Sequence, residues 1–313
     1  MRQVFTHEPV MVDEVVTMFV PVPAGVVIDA TAGGGGHAAA LLAARPQLRL
    51  LCLDRDPDAV EATTQRLGEF GDRATVRRAR FDRLGEIAAE VGVGRGSASG
   101  VLFDLGVSSP QLDRPERGFS YRADAPLDMR MDPDDGLSAS DLVNTWPEAE
   151  LARLFAANGE GRFARRIALA VVAARPVATT GVLADVVRSA LPAAVRREGG
   201  HPARRVFQAL RVAVNEELEV LADALPIAID ALAPGGRCVA IAYHSGEDRI
   251  VKAAFRLAET GGCTCPPGLP CACGAVSLGK LVFRGTRRPT PDEVRRNRRS
   301  QSALMRAFER GQD

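Results

Sequence analysis

The chain has 313 residues, 46% of them apolar and 25% charged, with a formal net charge of +1. That length suits one large or two ordinary domains, and the balanced charge excludes a protein that is basic throughout. No apolar run reaches membrane-spanning length and the first nine residues hold no apolar signal segment, so a cytoplasmic location with no membrane partner is expected.

Residues 10–20 read as a short amphipathic helix. Short apolar strands then alternate with helices: strands at 26–31, 48–54, 74–80 and 100–105, helices at 36–45, 57–68 and 83–91. Pro57 sits where a first-turn proline is tolerated. This alternation predicts an α/β fold with a parallel, doubly wound sheet. From Gln111 to Arg204 no buried strand is evident; helical segments at 148–157, 163–174 and 182–190 read as an all-helical insertion. A long helix is expected at 206–232, ended by Pro234-Gly235-Gly236. A fifth strand at 238–243, a helix at 247–258, a strand near 280–283 and a basic tail follow. The expected organisation is a discontinuous domain, 1–110 with 206–313, around an insertion at 111–205.

Chemistry enters at the first strand-to-helix turn, Ala32-Gly33-Gly34-Gly35-Gly36-His37. Glycines there let a ligand lie against backbone N–H groups and reach positive φ without strain, and the next helix points its first N–H groups at whatever the loop holds. Asp54 ends the second strand, 21 residues beyond Gly33, where an acid grips a ribose hydroxyl in nucleotide folds. A nucleoside cofactor is therefore expected. The loop alone leaves NAD(P) and S-adenosylmethionine (SAM) both open, because Gly33-x-Gly35-x-x-Ala38 also fits the dinucleotide pattern.

Asp104 ends the fourth strand, at the carboxyl edge where open α/β sheets bind ligands, and runs into Leu105-Gly106-Val107-Ser108-Ser109-Pro110-Gln111. An exocyclic base amine is a poor nucleophile because its lone pair is delocalised into the ring. A carboxylate accepting its N–H localises that pair and stabilises the charge that develops on methylation. Asp104 is the candidate for that work or for a cofactor contact. Tyr243-His244, at the end of the fifth strand, is the candidate lining of a base pocket.

The run Asp104–Asp113, then Arg117-Gly118-Phe119-Ser120 and Leu127-Asp128-Met129-Arg130-Met131-Asp132, closely resembles the RsmH (MraW) family of bacterial SAM-dependent 16S rRNA cytosine-N4 methyltransferases. The resemblance extends over nearly the whole chain: His7-Glu8-Pro9-Val10-Met11, Asp54-Arg55-Asp56, Gly159-Glu160-x-Arg162-Phe163-Ala164-Arg165-Arg166-Ile167, Arg205–Arg211, and His244-Ser245-Gly246-Glu247-Asp248. It implies a Rossmann-like SAM-dependent methyltransferase sheet with an inserted helical substrate domain, and methylation of a decoding-region cytosine on the small ribosomal subunit. By matched motif it implies SAM contacts from Gly35, Gly36 and His37, ribose contacts from Asp54, adenine contacts from Phe81, and completion of the cofactor site by Asp104 and Gln111. The chain departs from the family at Gly246, where a bulkier residue is usual, and in the tail, where Arg298 and Gln301 stand in for Pro and Arg.

Local basic stretches suit an RNA backbone. One includes Arg162, Arg165, Arg166, Arg196, Arg197, Arg204 and Arg205; within the insertion, Arg162, Arg165 and Arg166 are the candidate clamp on 16S rRNA. The other, Arg284 to Arg310, holds nine Arg against three acids. Cys263, Cys265, Cys271 and Cys273 offer four thiolates within eleven residues, a candidate structural zinc site; free or redox-labile thiols are the alternative. Two other functions fit parts of the chain. An NAD(P)-dependent oxidoreductase would use the glycine loop but leaves the Asp104 loop unexplained, and a non-catalytic rRNA-binding assembly factor would use only the basic surface.

Overall fold

The computed structural model describes residues 9–194, 201–266 and 272–312. The first half alternates as α1 (Val12–Phe19), β1 (Gly25–Asp29), α2 (Gly36–Ala44), β2 (Leu48–Asp54), α3 (Pro57–Leu67), β3 (Ala74–Arg78), α4 (Leu84–Glu90) and β4 (Ala98–Asp104). Six helices follow: α5 (Ser109–Asp113), α6 (Ala139–Thr145), α7 (Glu148–Phe155), α8 (Ala164–Ala173), α9 (Thr180–Ala190) and α10 (Arg204–Val214). The chain then runs through α11 (Glu217–Ala231), β5 (Leu232–Ala242), α12 (Ser245–Thr260), β6 (Gly279–Leu281), α13 (Pro291–Arg296) and β7 (Leu304–Arg310). Two compact units result, Met1–Gly106 with Leu218–Asp313, and Val107–Glu217.

The first unit carries a seven-stranded sheet in the order β3-β2-β1-β4-β5-β7-β6. Strands β1 to β5 are parallel, and their near-continuous apolar sequences follow from burial on both faces. Alternation splits them cleanly. Ile28, Leu51, Leu53, Val101, Phe103, Cys238 and Ala240 enter a core with α4, α11 and α12, whereas Val27, Leu50, Cys52, Leu102, Val239 and Ile241 enter another with α1 and α2. To the parallel sheet expected from the sequence the structure adds β7, which pairs antiparallel with β5 and β6. Its sequence, Leu304-Met305-Arg306-Ala307-Phe308-Glu309-Arg310, carries charges that read as a solvated tail. They are instead partnered at the sheet: Arg306 with Asp248 at 2.7 Å and Glu309 with Arg237 at 2.6 Å.

The second unit is helical, with Phe119, Leu142, Phe155, Ile167, Val171, Leu183, Val187 and Leu210 buried together. The helix expected at 206–232 is two helices, broken at Asn215 and at Glu216, whose φ is +51°. The cause is the Asn215 side chain. It is buried, donates from Nδ2 to the Met129 carbonyl at 2.8 Å, and accepts from the Met131 N–H at 2.8 Å. An amide so placed stitches the 129–131 loop to the helix end. Because Val206, Phe207, Ala209 and Leu210 pack into the helical core, α10 belongs to this unit. The edge expected at 205/206 therefore lies at 217/218, and the edge expected at 110/111 lies at 106/107. Part of the Leu127–Asp132 motif serves the same loop: Arg130 grips Asp128 with two hydrogen bonds of 2.9 Å.

Candidate functional site

Three strands end in aspartate at the carboxyl edge of the sheet, Asp29 on β1, Asp54 on β2 and Asp104 on β4. Register places them. Asp29 lies opposite Cys52 and Leu102, so Asp54 and Asp104 each project two residues beyond the end of β1, one on either side. The chain runs from β1 outward to β2 and β3, then returns to add β4 and β5 on the other side. The end of β1 is therefore the topological switch point, where doubly wound sheets open a crevice.

The glycine loop rises from that point. Gly33 (φ +54°) donates its N–H to Asp54 Oδ2 at 2.8 Å, and its carbonyl accepts from the hydroxyl of buried Thr63, also at 2.8 Å. Gly35 is the N-cap of α2 at φ +72° and has no side chain to cap the helix, so the first N–H groups of α2 suit a ligand. A Cβ at Gly35 would meet Thr63 at 3.2 Å, and one at Gly36 would meet Pro9 at 3.0 Å. Close packing thus requires glycine at both positions.

His37 is buried, and its Nε2 lies 2.9 Å from the Val10 carbonyl oxygen. A carbonyl only accepts, so Nε2 carries the proton of that bond. The other ring nitrogen, Nδ1, faces Asp104 Oδ2 at 3.6 Å. His37 therefore bridges the N-terminal segment to the edge and does not cap α2. Asp104 receives a second partner from β5, since the Tyr243 hydroxyl donates to its Oδ1 at 2.8 Å. Its backbone N–H donates to Thr31 Oγ1 at 2.6 Å.

The electrostatics are those of crowded acids, Asp29 buried and Asp54 and Asp104 half-buried. Burial pushes the Asp29 carboxyl up to about 7; His37 and the Thr31 N–H pull it down, while Asp104 and Asp54 add to the rise. Burial likewise raises Asp54 to about 6, against hydrogen bonds from the Asp56 and Gly33 N–H groups. The Tyr243 phenol is held far above its ordinary range, chiefly by burial and then by Asp104. Cys52, beneath this edge, is kept a neutral thiol by burial and by Asp29.

Phe81 lies in a helical turn after β3 and packs edge-to-face on Phe103, with ring centroids 5.7 Å apart. His244 is the N-cap of α12: Nδ1 accepts from the Gly246 N–H at 3.2 Å, and Nε2 lies 3.0 Å from Glu247 Oε1. A Cβ on Gly246 would touch the His244 ring at 3.0 Å, so a small residue there spares this capping arrangement.

The remaining candidates belong to the helical unit. Gln111 is buried and accepts from the Ser108 N–H at 2.9 Å, closing its own turn. Arg162, Arg165 and Arg166 are all exposed. Arg162 lies over the Phe163 ring at 5.3 Å, and Arg165 makes a loose 3.4 Å ion pair with Glu148. Arg196 and Arg197 lie outside the described residues, as do His7, Glu8 and Cys271.

The sequence reading overlooked Asp29, Thr31 and Thr63. The signal for Asp29 was present, because Val-Val-Ile-Asp repeats the apolar-run-then-Asp pattern of the strands ending at Asp54 and Asp104. Thr63 gave none; an α3 threonine earns its place only through the loop that folds onto it.

A parallel sheet with its switch point at β1, an uncapped glycine-loop helix and an antiparallel β7 between β5 and β6 define a Rossmann-like methyltransferase. Residues 4–311 match the MraW methylase family. A protein of Heliobacterium modesticaldum named ribosomal RNA small subunit methyltransferase H is 50% identical over 312 residues, covering 98% of this chain and 99% of its own. Proteins of the same name from Thermobifida fusca (51% over 316 residues, 97% and 93% covered) and Symbiobacterium thermophilum (50% over 309 residues, 97% and 96% covered) are similarly close. The chain belongs to the MraW methylase family. Among the described residues no helix is long and apolar enough to cross a membrane.

Proposed function

We propose that this chain transfers a methyl group from SAM to the N4 amine of a cytosine in the decoding region of 16S rRNA. The observation that carries the reading is the placement of Asp104, held between Tyr243 and His37 at the switch point and beside the glycine loop. The relatives' shared name supports small-subunit rRNA as the substrate.

The residues present fit SAM. The open N–H groups of α2 suit an amino-acid carboxylate, Asp54 suits ribose hydroxyls, and three acids suit a ligand with cationic amino and sulfonium groups. When bound, SAM supplies an electrophilic methyl group. Gly35, Gly36 and His37 hold the loop shape that receives it, and Phe81 offers an apolar ring toward the adenine. Asp104 accepts the cytosine amine N–H, localises its lone pair and stabilises the developing positive charge. Tyr243 orients that carboxylate, and His37 lies beside it. His244 and its helix cap shape the base-facing end of β5. Gln111 fixes the turn after Asp104, and Arg162, Arg165 and Arg166 hold the RNA backbone. The cytosine must be unpaired or flipped to expose its amine.

Methylation at ring carbon C5 would need a thiolate for covalent attack, and Cys52 is held neutral. The test is methylation of small subunits lacking the modification, followed by mass mapping of the product nucleoside. N4-methylcytidine is expected. A 5-methylcytidine product, or rRNA binding with no methyl transferred from labelled SAM, would overturn the proposal.

A further inference from the structure

We infer that Cys263, Cys265 and Cys273 form a structural zinc site that clips the loop between α12 and β6. Their three Sγ atoms lie within 4.8 Å of one another. Tetrahedral zinc with Zn–S bonds of about 2.3 Å sets its sulfurs roughly 3.8 Å apart, so small side-chain rotations complete the geometry. None of the three is in a disulfide.

Packing does not account for the convergence. Cys273 is exposed and Cys263 and Cys265 are half-buried; Thr264, Pro266, Ala272 and Gly274 are exposed, and Val276 is 73% exposed. Ordering such residues costs backbone entropy, with little apolar burial to offset it. The base of the loop is nevertheless fixed. Gly261 has φ +59°, and a Cβ there would lie 2.3 Å from the Val276 carbonyl oxygen; the Leu278 N–H donates to the Ala258 carbonyl at 2.8 Å. Two strands of chain are thereby held side by side, and the cysteines face one another just beyond the clamp. The Ala272 N–H points at Cys265 Sγ at 3.4 Å, a donor that suits thiolate charge.

The donor set selects the metal. Three thiolates without a carboxylate favour a soft or borderline ion over magnesium or calcium. Ligation then supplies the ordering energy that the loop lacks. The fourth position falls to water or to another side chain; Cys271, the fourth ligand expected from the sequence, lies outside the described residues. The role is structural, not catalytic. Helix α12 starts at the carboxyl edge of β5 and runs 16 residues, which sets the cysteines roughly 24 Å along its axis from that edge.

The experiment is elemental analysis of the full chain purified under reducing, chelator-free conditions, with cobalt substitution as the second readout. About one zinc per chain is expected, together with a thiolate-to-cobalt charge-transfer band in the cobalt form. A Cys265→Ser variant should lose most of the zinc and weaken that band while keeping its circular dichroism spectrum. A Cys238→Ser variant, altered only in the sheet core, should keep both. Zinc below about half an equivalent after incubation with zinc and gel filtration would overturn the inference. So would zinc unchanged in the Cys263→Ser/Cys265→Ser/Cys273→Ser triple variant, or isolation of the chain with two of the three joined in a disulfide and no metal.

Discussion

The Tyr243 hydroxyl donates to Asp104 Oδ1 at 2.8 Å, joining the end of β5 to the end of β4 across the carboxyl edge. Gly106 lies beside it: φ there is +95°, a backbone conformation that favours glycine, and a Cβ would reach only van der Waals contact with the Tyr243 ring at 3.4 Å. The phenol is half-buried and its acidity is pushed far above the ordinary range, so it acts as a fixed donor and not as a base.

Removing that donor should disturb the orientation of Asp104 without removing its charge. Tyr243→Phe is expected to lower kcat roughly tenfold, in keeping with the loss of one hydrogen bond to a charged group, while the SAM dissociation constant stays within about twofold. Asp104→Asn should cost more, about 100-fold or beyond in kcat, because the amide cannot stabilise positive charge on the amine. Single-turnover methylation and calorimetric titration with SAM measure the two quantities. Equal kcat losses in the two variants would assign Tyr243 more than a positioning role.

Asp29 makes stability depend on pH. Its folded carboxyl titrates near 7 against an ordinary value of 3.8, so the folded state holds a proton that the unfolded chain has already released. The contribution is fully present below about pH 4 and is lost as pH rises to about 7, on the order of 4 kcal/mol at most. Asp54, raised to about 6, acts in the same direction over a narrower window. Asp29→Asn, which never ionises, should flatten the fall in melting temperature of the free protein between pH 4 and 8. It should also raise that temperature at pH 8. Calorimetric scans at several pH values check this; a fall as steep as in the wild type would remove Asp29 as its source.

The switch-point architecture was legible because buried parallel strands leave a strong mark: Leu-Leu-Cys-Leu-Asp has little choice but to be a core strand ending at an edge. The loop glycines and Asp54 were legible by the same spacing. Other features were not, for physical reasons. In β7 Met305, Ala307 and Phe308 are buried, but Arg306 and Glu309 read as part of a basic tail because their partners, Asp248 and Arg237, lie 58 and 72 residues away. The break after α10 depends on the Asn215 amide reaching a loop 84 to 86 residues distant, which no helical periodicity reveals. The link from His37 to the Val10 carbonyl left no mark in the sequence, because that partner is a backbone atom 27 residues earlier.

The loop glycines predict two separable failures. Gly35→Ala places a side chain at φ +72° and against Thr63, which should destabilise the protein by about 1–2 kcal/mol and weaken SAM binding as the loop shifts. Asp54→Asn keeps the shape but leaves one acceptor oxygen for the Gly33 and Asp56 N–H groups, so stability should fall by about 1 kcal/mol. It should still lose roughly tenfold or more in SAM affinity through weaker hydrogen bonds to hydroxyls. Thermal denaturation with and without SAM distinguishes the two. A normal SAM-induced shift in Asp54→Asn would move the ribose contact elsewhere.

The arginines of the helical unit predict a different signature, because the proposal assigns them to RNA and not to SAM. Arg162, Arg165 and Arg166 are exposed, and the Arg165 ion pair at 3.4 Å leaves its side chain 90% accessible, so little folding energy depends on them. Reversing all three to Glu should weaken binding to small-subunit rRNA at least tenfold and reduce the slope of log affinity against log salt by two to three, about one per lost phosphate contact. SAM affinity and melting temperature should hold. Filter binding across a salt series, with SAM calorimetry in parallel, measures both. An unchanged slope would place the RNA on another face, and a loss of SAM binding would mean that the substitutions had damaged the fold.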